Sequence, residues 1–197
     1  MVAIIKVFQD IGGADTTPGS NIDTSVSNPN LRFKTIDNNV IDSANPIPIP
    51  GSGTKYSYWK NLYLKCTQAP SVSVDNFRMY ADGAGFGTDI TLNIADQYPT
   101  RANGDTSGYE VATGTPNDTG DEMVVSHAAL SSSTDFFTYT SSVPLTILNS
   151  AFISEGGNIL DAVNETTHYF LLQVSVGENA TPGPKTAETI TILYDEV

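Results

Sequence analysis

Short stretches of alternating apolar and polar residues, each closed by Gly, Pro, Asn, Asp or Ser, constrain this chain most. No window sustains a helical period; residues 158–163 offer a turn or two at most. A chain cut this way folds as short strands joined by turns. The end of the chain shows it best. Residues 168–176 form a β-prone run. After the turn formers of 177–184, Ile190, Ile192 and Tyr194 alternate with Thr189, Thr191 and Leu193. The spacing predicts a terminal hairpin, which needs a partner sheet because an isolated ribbon is marginal in water.

Further runs fall at 2–8, 31–36, 54–67, 73–80 and 89–94, with others at 122–127, 134–140 and 143–148. Pro46, Pro48 and Pro50 remove a ladder donor at every second residue, so 45–51 is an extended crossing between sheets. The expected fold is all-β: a β-sandwich of about eight or nine strands, jelly-roll or immunoglobulin-like. Residues 1–30 read as an N-terminal strand followed by an extended arm or linker, and 31–197 as the sandwich domain. That strand docks on its own sheet or reaches a neighbouring subunit. Deleting 1–28 is expected to leave a folded sandwich but to weaken assembly.

Charge excludes some partners. The 197 residues carry a net charge of −13. Residues 1–101 hold eight Lys/Arg against nine Asp/Glu, net −1; residues 102–197 hold Lys185 against thirteen acids, net −12. Binding nucleic acid or an anionic membrane requires cations, so neither is expected. The start of the chain, through Gln9, lacks the basic leader and long apolar core of a signal peptide. Cys66 is the single cysteine, which rules out an intrachain disulfide and suits a small buried filler.

Candidate chemistry is sparse. Asp82 and Asp89 bracket a glycine-rich loop whose carboxylates and carbonyls could hold Ca²⁺, although Asn93 stands where a calcium loop of the EF-hand type has Glu. A turn that needs positive φ explains the same glycines. His127 and His168, distant in sequence, make a thin ligand set for zinc. Tyr56, Tyr58, Trp59 and Tyr63 invite a sugar-stacking platform. Alternation splits them, with Tyr58 beside Lys60, Leu62, Leu64 and Cys66 on one face, and Trp59, Asn61, Tyr63 and Lys65 on the other. A core role is the stronger reading. The long loop 99–121 is a candidate contact surface. No motif for a nucleophile, a metalloprotease helix or a phosphate loop occurs, so no catalytic residue is assigned.

Three segments carry a resemblance: 2–8, the run from Tyr58 to Lys65 continued by 74–83, and the ending 189–196. Together they resemble small β-sandwich structural proteins of tailed bacteriophages and archaeal viruses. The resemblance implies a virion component, whether capsid, decoration or tail-associated, that is assembled in the host cytoplasm. Its partners would be copies of itself or other virion proteins. Two other expectations stand beside it: a module binding a glycan receptor through the aromatics or the 99–121 loop, and a Ca²⁺-dependent cell-surface or S-layer-like adhesive domain built on Asp82 and Asp89.

Overall fold

Turn formers divide the chain at nearly every place the alternation breaks. The computed structural model describes residues 2–25, 31–81, 84–147, 149–153 and 157–197. In chain order the elements are β1 (Ile4–Ala14), β2 (Thr17–Asp23), β3 (Thr54–Tyr56), β4 (Lys60–Gln68), β5 (Val74–Ala81), β6 (Ile90–Ala95), β7 (Gly114–Thr115) and β8 (Thr119–Gly120). Then follow α1 (Met123–Ser126), β9 (Ser133–Asp135), a 3₁₀ turn (Phe136–Thr138), β10 (Leu145–Thr146), α2 (Asn149–Phe152), β11 (Phe170–Gly177) and β12 (Ile190–Glu196). The protein is all-β, with two antiparallel sheets facing each other as a sandwich. The large sheet runs β2-β1-β4-β11-β3-β8-β7, with β6 and β9 joined through β11; the small one runs β10-β5-β12.

The two sheets meet over one apolar core. Leu62, Leu64 and Cys66 of β4, Leu92 and Ile94 of β6, and Leu172 of β11 face Val74, Phe77 and Met79 of β5. Asn76 has φ 50°, and the β5–β12 register shifts between Leu193 and Asp195. This bulge turns both Val74 and Phe77 inward despite their odd spacing. The outer face of the large sheet is buried as well. The segment after β6 folds across it, and Tyr109, Ala112, Met123 and Leu130 close over Trp59, Tyr63 and Leu171. The molecule therefore has three layers: small sheet, large sheet and an irregular cap.

Besides the run at 31–36, which forms no strand, four expectations change. The terminal hairpin does not form: β11 sits inside the large sheet, paired with β4, β3 and β6, while β12 pairs with β5 in the other sheet. Phe170, Leu171 and Leu172 are apolar on both faces, so β11 belongs in the middle, and neighbours on both flanks leave no room for β12. The arm is also absent over the described residues. β1 continues to Ala14, turns at Asp15 and Thr16 into β2, and pairs with β4 from Ile4 to Asp10. Gly13 makes this turn possible: its φ is +81°, and a Cβ there would collide with the Thr17 carbonyl. Residues 26–30 lie outside the described residues.

The third change concerns the strands expected at 122–127, 134–140 and 143–148. They shrink to a helical turn, three residues of β9 before a 3₁₀ turn, and two residues of β10. Side chains redirect the backbone here. The Gln173 amide oxygen accepts from Met123 N at 2.9 Å, and the Asp135 carboxylate accepts from Phe137 N at 3.0 Å. Fourth, β3 and β4 are one line broken at 57–59, where Ser57 N and Oγ both bond Val174 of β11. The break puts Tyr58 on the same side as Trp59, contrary to simple alternation.

Candidate functional site

Beneath the cap, charged and phenolic groups from five segments converge on Asp10 of β1. Its carboxylate accepts from Arg101 Nε at 3.1 Å, from the Tyr169 hydroxyl at 2.5 Å and from Asn21 Nδ2 at 2.7 Å. The Tyr63 hydroxyl accepts from Arg101 Nη2 at 3.1 Å and also from Asn21 Nδ2. The guanidinium lies over the Tyr63 ring, 4.3 Å from its centroid. Asp10 is 2 % exposed and Arg101 9 %. In this setting burial, and then the bond to Asp10, drive the Tyr169 pKa far up, so its phenol stays protonated and donates. Burial followed by Asp10 raises Tyr63 likewise.

A second buried cation lies next to this group. Lys60 is fully buried, with Nζ 3.4 Å from Asp37 Oδ1 and 3.2 Å from the Asn38 carbonyl. Burial lowers its pKa, and Asp37 opposes the shift. Asp37 also accepts from Gly12 N at 3.0 Å, which ties the 37–39 segment to the end of β1. These arrangements brace elements. Most of their polar atoms are spent on one another, Arg101 Nη1 being a buried donor with no hydrogen bond among the described residues.

Arg101 and Asp10 escape notice in the sequence because each looks like an ordinary surface charge. The one local signal is that Arg101 is the last cation before the strongly acidic stretch.

The residues singled out from the sequence are placed as follows. Trp59 and Tyr63 are 2 % and 1 % exposed and Tyr58 8 %. The Trp59 indole donates to the Glu110 carbonyl at 3.2 Å. This aromatic set is core on the cap side and offers no platform to a sugar. The loop 99–121 supplies much of the cap, with Tyr109 fully buried and its hydroxyl donating to the Gly12 carbonyl at 2.7 Å. Asp89, at φ 58°, uses its carboxylate to accept from Asn179 N at 2.8 Å, and its carbonyl accepts from Gly177 N. It pins the chain as it leaves β11. Asp82 lies outside the described residues. Among the described residues no cluster of three or more His, Cys, Asp or Glu is arranged for a metal.

His127 and His168 both lie against backbone. His127 Nδ1 accepts from Ala129 N at 3.2 Å with the Glu110 carboxylate 3.7 Å away, and His168 Nδ1 accepts from Arg101 N at 3.0 Å. Burial lowers both pKa values. Cys66 is buried with Sγ 3.2 Å from the Gln68 carbonyl, and burial raises its pKa, the opposite of what a reactive thiol needs. No helix among the described residues is long and apolar enough to cross a membrane.

The small sheet ends in an accessible edge. Among the described residues β12 is paired on one side only. Leu193 on it is 36 % exposed, and Val197 just beyond it 64 %. Alternate backbone amides and carbonyls of such a strand point away from β5, ready for another strand. No family model, no curated protein and no solved structure matches this chain.

Proposed function

We propose that this protein is a structural subunit of a virion, in the capsid, on its surface or in the tail, and that it works by associating with copies of itself or with other virion proteins. The observation that carries this reading is the open edge of β12 on a rigid, doubly packed body. Strand addition at such an edge supplies main-chain hydrogen bonds without a dedicated pocket, and symmetry multiplies a weak contact. The strand patterns resembling phage and archaeal-virus β-sandwich proteins support the same reading. A single buried cysteine is in keeping with assembly in a reducing host cytoplasm.

The strong negative charge sets the conditions. Subunits at −13 repel one another at low ionic strength. Screening length falls from about 30 Å at 0.01 M salt to about 10 Å at 0.1 M, so contacts should strengthen as salt rises. The decisive experiment is sedimentation of the purified chain against concentration and salt, for the wild type and for Leu193→Lys. A lysine on an exposed edge blocks strand addition while leaving the core intact. Association that rises with salt and is lost in the variant supports the proposal. A wild type that stays monomeric at all concentrations and salts, or a variant that associates equally well, overturns it.

A further inference from the structure

The small sheet is narrower than the large one. Beyond β12 the inner face of the large sheet is roofed by loops, and under them lies a cavity of about 650 Å³ open to solvent. Its floor is Leu172, Val174 and Val176 of β11; Ile190 and Ile192 of β12 and Phe33 form walls. Ile190, Ile192 and Phe33 stay only partly buried because the space leaves one side of each without contacts. The volume falls within the range of about 300–1,000 Å³ usual for small-molecule sites.

The cavity also has charged residues in its lining. Arg32, Lys34 and Lys185 line it, together with Asp42 and Glu188. Lys185 is the one cation after residue 101 in a chain with 22 acids, and it stands here. Lys34 is paired with Asp42 at 2.5 Å, and Lys185 Nζ donates to the Thr181 carbonyl at 2.6 Å. Arg32 Nε is buried and makes no hydrogen bond among the described residues. A buried donor without an acceptor is destabilising, and a carboxylate is the acceptor that a guanidinium fits best.

We propose that the cavity binds a single-chain amphiphile with a carboxylate head, a free fatty acid, its tail along β11 between the sheets and its head on Arg32. An apolar floor sharing its lining with Arg32, whose buried Nε has no acceptor among the described residues, selects this chemistry. A neutral tail gains burial alone; a carboxylate also satisfies the orphaned donor. The cavity lies beside the unpaired edge of β12, with Ile190 and Ile192 of that strand in its wall, but ligand binding is read by calorimetry and association by sedimentation, so the two proposals fail separately.

Titration calorimetry with dodecanoic acid, decanoic acid and 1-dodecanol, all below their aggregation limits, tests it. Dodecanoic acid should bind one per chain, decanoic acid roughly tenfold more weakly for two lost methylenes, and dodecanol about tenfold more weakly for the lost head contact. Arg32→Gln should cut acid affinity about tenfold and leave dodecanol unchanged. Ala187→Trp, at an exposed position on the rim, should obstruct both ligands while the thermal melt stays that of the wild type. No binding of dodecanoic acid overturns the proposal, as does equal binding of acid and alcohol, or an Arg32→Gln protein that binds the acid as tightly as wild type.

Discussion

Asp10 and Arg101 are 91 residues apart, yet each is the other's buried counter-charge. Removing one partner of a buried pair leaves an uncompensated charge, which is far more costly than losing a surface bridge. Arg101→Met should therefore destabilise the fold by about 3 kcal/mol, read from the urea midpoint. Asp10→Asn combined with Arg101→Met should recover part of that loss; a double variant no better than the sum of the two singles would show that the two sites are not coupled. The histidines give a pH signature. Burial holds His127 and His168 below the ordinary imidazole value, so the unfolded chain takes up these protons first as pH falls. Stability present above about pH 6.5 should be lost progressively below it. Urea unfolding at pH 7.5 and pH 5 should show this fall, and His127→Gln with His168→Gln should flatten it. An unaltered pH slope in that variant would mean that the rings accept protons without unfolding.

The hairpin of β1 and β2 shows how an element acquires its role from neighbours. Read locally, 10–23 is polar and glycine-rich, a good linker. In place, β1 fills the line between β2 and β4 and carries Asp10 into the buried network. Deleting 1–28 should consequently abolish the cooperative thermal transition, where the sequence reading expected a folded remnant. A truncated protein that melts cooperatively near the wild-type temperature would return these residues to the status of an arm. Gly13→Ala is a milder probe of the same element. Its φ of +81° and the crowding by the Thr17 carbonyl should cost about 1–2 kcal/mol and expose the turn at Asp15 and Thr16 to limited proteolysis.

At the scale of the molecule, the sheets are stitched by distant segments: β1 with β4, β11 with β4 and β3, and β12 with β5. Little of the fold can form before these loops close, so refolding should fall in the range of roughly milliseconds to seconds typical of sandwiches with long-range pairing. Stopped-flow Trp59 fluorescence is a suitable probe, since the indole is buried only once the cap closes over the large sheet. A microsecond phase accounting for the whole signal would show that the cap and β4 assemble locally.

The all-β class was legible because its cause is local: period-two alternation and turn formers act within a few residues, and the runs at 54–67, 73–80 and 89–94 became β3 with β4, β5 and β6. The prolines at 46, 48 and 50 likewise stay outside any ladder. Partners were not legible. Nothing in the alternation of Ile190, Ile192 and Tyr194 distinguishes pairing with β11 from pairing with β5; that choice follows from β11 needing neighbours on both flanks. The burial of Asp10, Lys60 and Arg101 was equally hidden, because a charge is held in a core by whatever the tertiary fold brings to it. The sequence determined that this chain makes strands and where they break, through backbone preferences felt residue by residue. The tertiary structure alone decided which strands touch, which loop becomes a cap and where an apolar cavity is left open, because packing satisfies the whole surface at once.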